Sequence, residues 1–382
     1  MSIHKICIIG NGLAGLSAAV ILSQESISID LYVGKNKENK NQIDNRTTAI
    51  SESSYQFIKK KLDIKKNNIF WPCNEINLFF EDTENINNFL NFKEKKKNLM
   101  YIFQNNELKK ELYKKILSKK NITLIKQNIS DVGYSDSFVT VNKNKFFYDL
   151  IILSIGNNSK LYNKITQGRS IEKNYHEVAL TTTVKHNSKI NKASQFFLKE
   201  GPLAILPFSK KIFSVVWSVS IQYYNKKNKF IKKILETKIQ TLLKNPKIIN
   251  INNIQSFPIS LNLKTKYFKK NVLILGDGLH SIHPMAGQGF NLVLRDIKKL
   301  SELIFKLLRL GLLIKNSFLL KDFYQVRKPE NIILGLGVDL TNIFFKDNKY
   351  FAPIRKKILK NIAKSKFIKK ISQEISDKGI ST

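Results

Sequence analysis

His4-Lys5-Ile6-Cys7-Ile8-Ile9-Gly10-Asn11-Gly12-Leu13-Ala14-Gly15 is an apolar run that stops at a glycine-rich turn. An Ala/Leu-rich stretch from Leu13 to Leu22 follows, and Ile27 to Val33 then alternates as a strand does. The spacing predicts a strand-turn-helix-strand unit of about thirty residues, the size of one βαβ module. Gly10, Gly12 and Gly15 hold GxGxxG spacing inside it. The first glycine permits a tight turn, the second lets backbone approach a pyrophosphate, and the third lets helix pack on strand. Leu13 and Ala14 open the helix, whose first N–H groups and partial positive charge favour phosphate. These five residues form a candidate dinucleotide site. The acidic residue expected near the end of the second strand is missing: that strand ends Leu31-Tyr32-Val33-Gly34-Lys35, and Asp30 lies mid-strand.

Further along, Gly34 to Asn45 is polar and reads as a surface loop. Helices are expected over Ser51 to Leu62, Glu107 to Ser118 and Phe230 to Leu243. Strands are expected over Ile76 to Phe80, Ile122 to Ile125, Leu150 to Ile155 and Val272 to Leu275. A hairpin is expected around Asn142-Lys143-Asn144. Residues 175–222 carry several β-like runs, and helical patterns dominate from Asn291 onward. Strands alternating with helices, interrupted by an antiparallel block, predict an α/β fold with an inserted α+β domain and a C-terminal helical segment.

The chain has 382 residues, 42% hydrophobic and 25% charged, enough for a large core. Its two cysteines, Cys7 and Cys73, suggest neither a disulfide framework nor a metal site and fit a reducing, cytoplasmic compartment. No run approaches the roughly eighteen apolar residues of a spanning helix. The formal charge of +36 is spread along the whole chain with Asn and Ile, so it is read as a compositional bias rather than a nucleic-acid interface. Such a field still favours anionic lipid surfaces or acidic partners.

A second constellation runs Gly276-Asp277-Gly278-Leu279-His280-Ser281-Ile282-His283-Pro284-Met285-Ala286-Gly287-Gln288-Gly289-Phe290-Asn291. Its small residues let backbone approach a ligand, and Asp277 can accept a sugar hydroxyl. Gly287-Gln288-Gly289 places N–H groups at a helix start, where they stabilise negative charge. His280 and His283 read as loop-ordering hydrogen bonders rather than a base or a metal pair.

Gly276 to Leu294 closely resembles the GDAAHxxHPxAGQGxNLGxRD signature of the class A aromatic-ring flavin hydroxylases, particularly those of ubiquinone biosynthesis. Arg46-Thr47-Thr48-Ala49-Ile50 is similar to that family's RTxAL segment. Tyr175 to Val184, Gly201 to Pro207 and Val215 to Ser218 resemble its substrate-domain strands, and Phe323 to Asn331 a later helix.

The resemblance implies an FAD-binding Rossmann-like domain (1–75 with 98–160 and 260–310), a substrate domain (76–97 with 161–259) and a helical region (311–382). It implies FAD held by Gly10, Gly12, Leu13, Ala14, Gly15, Arg46, Gly276, Asp277, Pro284, Gly287, Gln288, Gly289, Phe290 and Asn291. NAD(P)H or another electron donor would be the reductant, O2 the co-substrate and a polyprenylphenol the substrate. Phe208 and Trp217 are candidate walls of the aromatic pocket, with sheet core the equal alternative. The pattern departs at Val33, at Asn106 (an arginine in the family) and at Ile155 (an aspartate in the family). A scaffold subunit without turnover, or a hydroxylase of another aromatic, are the alternative readings. Pro353 to Ile375 is expected as one amphipathic basic helix, either resting on an anionic membrane surface among quinone-biosynthesis proteins or simply closing the domain.

Overall fold

The computed structural model describes residues 4–24, 26–34, 46–62, 69–82, 85–157, 159–315, 318–346 and 352–380. The opening apolar run forms the strand His4–Ile9 inside a six-stranded sheet. It pairs in parallel with Ile27–Tyr32 and with Leu150–Leu153. Ile122–Ile125 and Val272–Ile274 extend the parallel sheet on its two sides, and Phe268–Lys269 closes one edge antiparallel. Ile6, Ile8, Ile29, Leu31, Ile151 and Leu273 are all fully buried, as expected for a parallel sheet covered on both faces. The helix Leu13–Leu22 is buried from Gly15 onward, so it needs no polar face. Asn105–Ser118 is instead one-sided and buries Leu108, Leu112 and Ile116 at four-residue spacing.

This topology sets up the site. His4–Ile9, Leu150–Leu153 and Val272–Ile274 lie side by side in the order Val272–Ile274, Leu150–Leu153, His4–Ile9 and run the same way. Their carboxyl ends therefore deliver Gly10, Ile155 and Gly276 to one edge, where parallel α/β sheets bind ligands.

A nine-stranded sheet forms the second layer, built from Glu75–Glu81, Ile86–Lys93, Ser170–His186, Ala193–Leu198, Gly201–Pro207, Ile212–Ser220, Ile248–Ile251, Gln255–Lys264 and His280–Ser281. One face packs Leu203, Ile205, Val215 and Trp217 on Ile231, Leu235 and Ile239 of the helix Ile231–Leu242. The expected domain limit at residue 260 falls inside Gln255–Lys264. His280–Ser281 joins the nine-stranded sheet although it belongs to the second glycine-rich loop.

The C-terminal half adds the helices Gly289–Arg309, Leu319–Phe345, Ala352–Lys364 and Lys366–Lys378. The single helix expected over 353–375 is two. Ser365 breaks it by capping the second piece, its hydroxyl accepting from the Ile368 N–H at 3.2 Å. Within the expected loop Gly34 to Asn45, residues 35–45 lie outside the described residues.

Candidate functional site

The three glycines of the first turn do three different physical jobs. Gly10 has φ +143°, and a Cβ there would lie 2.1 Å from the Ser154 carbonyl oxygen. A Cβ on Gly15 would sit 2.4 Å from Ser154 Oγ, so helix and strand close on each other only without one. Gly12 has nothing within 4 Å of a built Cβ: its backbone opens onto empty space.

The second turn meets the first directly. Gly276 takes φ +77°, and a Cβ on it would approach Ala14 Cβ to 2.7 Å. Gly287, at φ +63°, packs on Ala49, while Gly289 again faces open space. Asn291 fastens the far end by accepting from the Ser51 N–H at 2.9 Å, with its amide nitrogen near the carbonyls of Gly287 and Ala49.

Between these turns lies one cavity of about 1510 Å³. Of the expected residues, Gly10, Gly12, Leu13, Ala14, Arg46, Asp277, Pro284, Gly287, Gln288, Gly289, Phe290 and Asn291 line it. Gly15 and Gly276 stand behind the lining and shape it. Arg46 packs over the Phe257 ring at 4.8 Å.

The two expected aromatic walls are elsewhere. Trp217 is fully buried in the opposite face of the nine-stranded sheet, against Tyr223. Strand alternation explains this: its neighbour Val216 lines the cavity, and adjacent residues point to opposite faces. Phe208 packs instead with Ala49, Cys73, Ile102 and Ala193. Besides Tyr32 and Phe290, the aromatic lining comes from Phe89, Phe92, Phe197, Phe257, Phe344 and Phe345. Phe89 and Phe92 lie in a strand of the sequence Ile-Asn-Asn-Phe-Leu-Asn-Phe-Lys, whose asparagines mask its pattern.

At the other end, Val33, Gly34, Gln127 and Asn128 line the cavity, and Asp30 does not. The Asp30 carboxylate accepts from the Tyr148 hydroxyl at 2.8 Å. Ile155 lines the cavity in the slot of the expected aspartate, and Asn105 lines it rather than Asn106.

Both histidines are held by carboxylates. His283 Nε2 lies 3.0 Å from Glu177, while its Nδ1 accepts from the Met285 N–H, so the Nε2 carries the proton. His280 Nε2 lies 2.6 Å from the fully buried Asp296, which Arg327 also holds at 2.6 Å. Burial alone would raise the Asp296 carboxyl; the charges of Arg327 and His280 outweigh it and hold it below the ordinary value.

Residues 154–310 match the family described as FAD binding domain, a span that includes the whole second glycine-rich loop. The chain is also 26% identical to the mitochondrial ubiquinone biosynthesis monooxygenase COQ6 of Dictyostelium discoideum, over 92% of this chain and 86% of that protein. The chain is thus similar to FAD-dependent monooxygenases in sequence and in fold. A second relative, the ubiquinone hydroxylase UbiL of Rhodospirillum rubrum, is 28% identical over 45% of this chain and 41% of its own. The fold matches that of p-nitrophenol 4-monooxygenase PnpA from Pseudomonas putida DLL-E4 with a TM-score of 0.79 at 13% identity, covering 100% of both chains.

The residues present fit FAD. The first intrahelical bonds run from Leu16 to Gly12 and from Leu292 to Gln288, and neither helix start has a side-chain cap. The N–H groups just before those bonds are the ones a helix leaves without an intrahelical partner. Two such starts on one cavity suit a ligand anionic at its middle and at its ring. The volume exceeds the roughly 300–1,000 Å³ of a single small-ligand site, which leaves room for a second molecule beside a dinucleotide.

Proposed function

We propose that this protein is a monooxygenase that hydroxylates the aromatic ring of a polyprenylated phenol in ubiquinone biosynthesis, with FAD lying across the two glycine turns. Gly10, Gly12, Leu13 and Ala14 would hold the pyrophosphate, with Gly15 and Gly276 shaping that turn. Asp277 would accept from the ribityl or phosphate portion. Pro284 and Gly287 to Asn291 would border the ring system, with Arg46 nearby. Once bound and reduced by a nicotinamide or another electron donor, FAD would supply the chemistry that activates O2. One oxygen enters the ring, the other leaves as water, and two electrons come from the donor.

The chain's own part is to bind, orient and keep water out. The start of Gly289–Arg309 would offer N–H groups to negative charge on the reduced ring. Val216, Leu206 and Ala204 from the nine-stranded sheet, together with the phenylalanines, give the second compartment an apolar wall. This carries the reading: a continuous cavity polar at its glycine turns and apolar beyond them suits a phenol with a long hydrocarbon tail. The names of the relatives from D. discoideum and R. rubrum support the same pathway. A tail of this kind partitions into lipid, so the enzyme works beside a membrane and other quinone-forming proteins. Among the described residues no helix is long and apolar enough to cross a membrane.

The test is anaerobic reduction of the FAD-loaded protein, exposure to labelled O2 with a series of prenylphenols, and mass analysis of the products. One labelled oxygen per ring is expected. A protein that ignores added FAD and yields no product would instead be a scaffold.

A further inference from the structure

The cavity reaches the surface beside the C-terminal helices. Leu340 and Ile368 both line it, yet they are 65% and 40% exposed, which places them on its rim. Helix Lys366–Lys378 covers this mouth with two opposed stripes. At the 3.6-residue period, Ile368, Ser372, Gln373, Ser376 and Asp377 share one side, and all five line the cavity. Phe367, Lys370, Ile371, Glu374 and Lys378 share the other side and are exposed, Phe367 by 72%.

Hydrogen bonds fix which stripe faces inward. The Ser53 N–H donates to Asp377 Oδ1 at 2.8 Å, Arg295 donates to the Ser376 carbonyl at 3.0 Å, and Gln373 donates to Glu94 at 2.9 Å. The helix before it, Ala352–Lys364, adds exposed Ile354 with exposed Lys357, Lys360 and Lys364. Residues 352–380 contain nine basic side chains and two acidic ones. One of those two, Asp377, is turned inward.

We infer that the outer stripe of Lys366–Lys378, together with Ile354 and the neighbouring lysines, docks on an anionic lipid bilayer. The mouth of the cavity then opens at the lipid boundary; its use for a lipid substrate rests on the function proposed above. Large apolar side chains set among lysines are the composition of a helix that lies in a membrane interface, with apolar groups below the headgroups and ammonium groups among the phosphates. The charge complements an anionic bilayer, and Phe367 and Ile371 present 72% and 37% of their surface to solvent.

Flotation of the FAD-loaded protein with vesicles tests this. The protein should float with vesicles of phosphatidylcholine and phosphatidylglycerol, less so in high salt, and remain behind with phosphatidylcholine alone. Phe367→Glu combined with Ile371→Glu should lower the bound fraction about tenfold. That variant should keep its flavin absorbance and its turnover of a short, water-soluble phenol, because neither residue lines the cavity. Absence of flotation with the anionic vesicles, or a double variant that floats like the parent, overturns the inference. Flotation that persists in a protein unable to hydroxylate any prenylphenol removes the proposed substrate and leaves the docking surface standing.

Discussion

The side-chain oxygen of Asn291 accepts the backbone N–H of Ser51 at 2.9 Å, across 240 positions of sequence. Ser51 follows the Arg46 segment, and Asn291 stands in the first turn of the helix after the second glycine loop. One amide thus holds together two walls of the cavity, the ones proposed to flank the ring end of FAD. Asn291→Ala would leave a buried donor unsatisfied, costing about 1–3 kcal/mol. A lower Tm is expected in the apoprotein, with weaker FAD retention on gel filtration.

Gly12 and Gly289 separate folding from binding. Neither has an atom within 4 Å of a built Cβ, so substitution is accommodated without the ligand. An aspartate at the start of a helix is also compatible with its dipole. Gly12→Asp and Gly289→Asp should therefore keep the apoprotein Tm near that of the parent and lose FAD. Gly10→Ala should fail differently, by destabilising the apoprotein itself, because φ +143° and the Ser154 carbonyl leave no space. Differential scanning calorimetry with and without FAD distinguishes the two patterns.

The three glycine roles were legible because each is a local consequence of spacing after a strand. The five parallel strands of the six-stranded sheet were legible as short apolar runs, four of them followed by glycine, whereas the two-residue edge strand Phe268–Lys269 carries no such pattern. What escaped was whatever depends on strand parity or on distant chain. Trp217 was a wall candidate by residue type, but a one-residue step decides which sheet face it occupies. Gln127 and Asn128, at the expected adenosine end, sit in a stretch with no motif. Ser372, Gln373, Ser376 and Asp377 enter the cavity from the last helix; the only hint was a polar interruption in an Ile/Lys pattern.

The parity correction is itself testable. Trp217→Ala should cost about 3–5 kcal/mol of stability through the core it empties. Its effect on KM for the phenol, measured on the folded fraction, should be small. Val216→Phe, one residue away, should do the opposite by filling the cavity: KM rises about tenfold or more while stability changes little.

Asp296 is the hub of a buried cluster, touching His280, Arg327 and Asn331. Asp296→Asn would leave the buried Arg327 cation with Glu330 as its remaining carboxylate partner and should cost about 3 kcal/mol. The sign of the pH dependence follows from the lowered carboxyl. Because its folded value lies below the unfolded value of about 3.9, the stabilisation is complete above that pH and disappears as the pH falls through the folded value. Chemical denaturation from neutral pH down to the acid range should show stability falling below about pH 4 in the parent and a flatter profile in Asp296→Asn.

The most direct measurement is titration of the purified apoprotein with FAD and, separately, with FMN, followed by absorbance and calorimetry. Two glycine turns gripping one dinucleotide predict one FAD per chain and at least about tenfold weaker FMN, which lacks the adenosine half that the first turn serves. An apoprotein that binds no FAD, or that binds FMN equally well, would contradict the account.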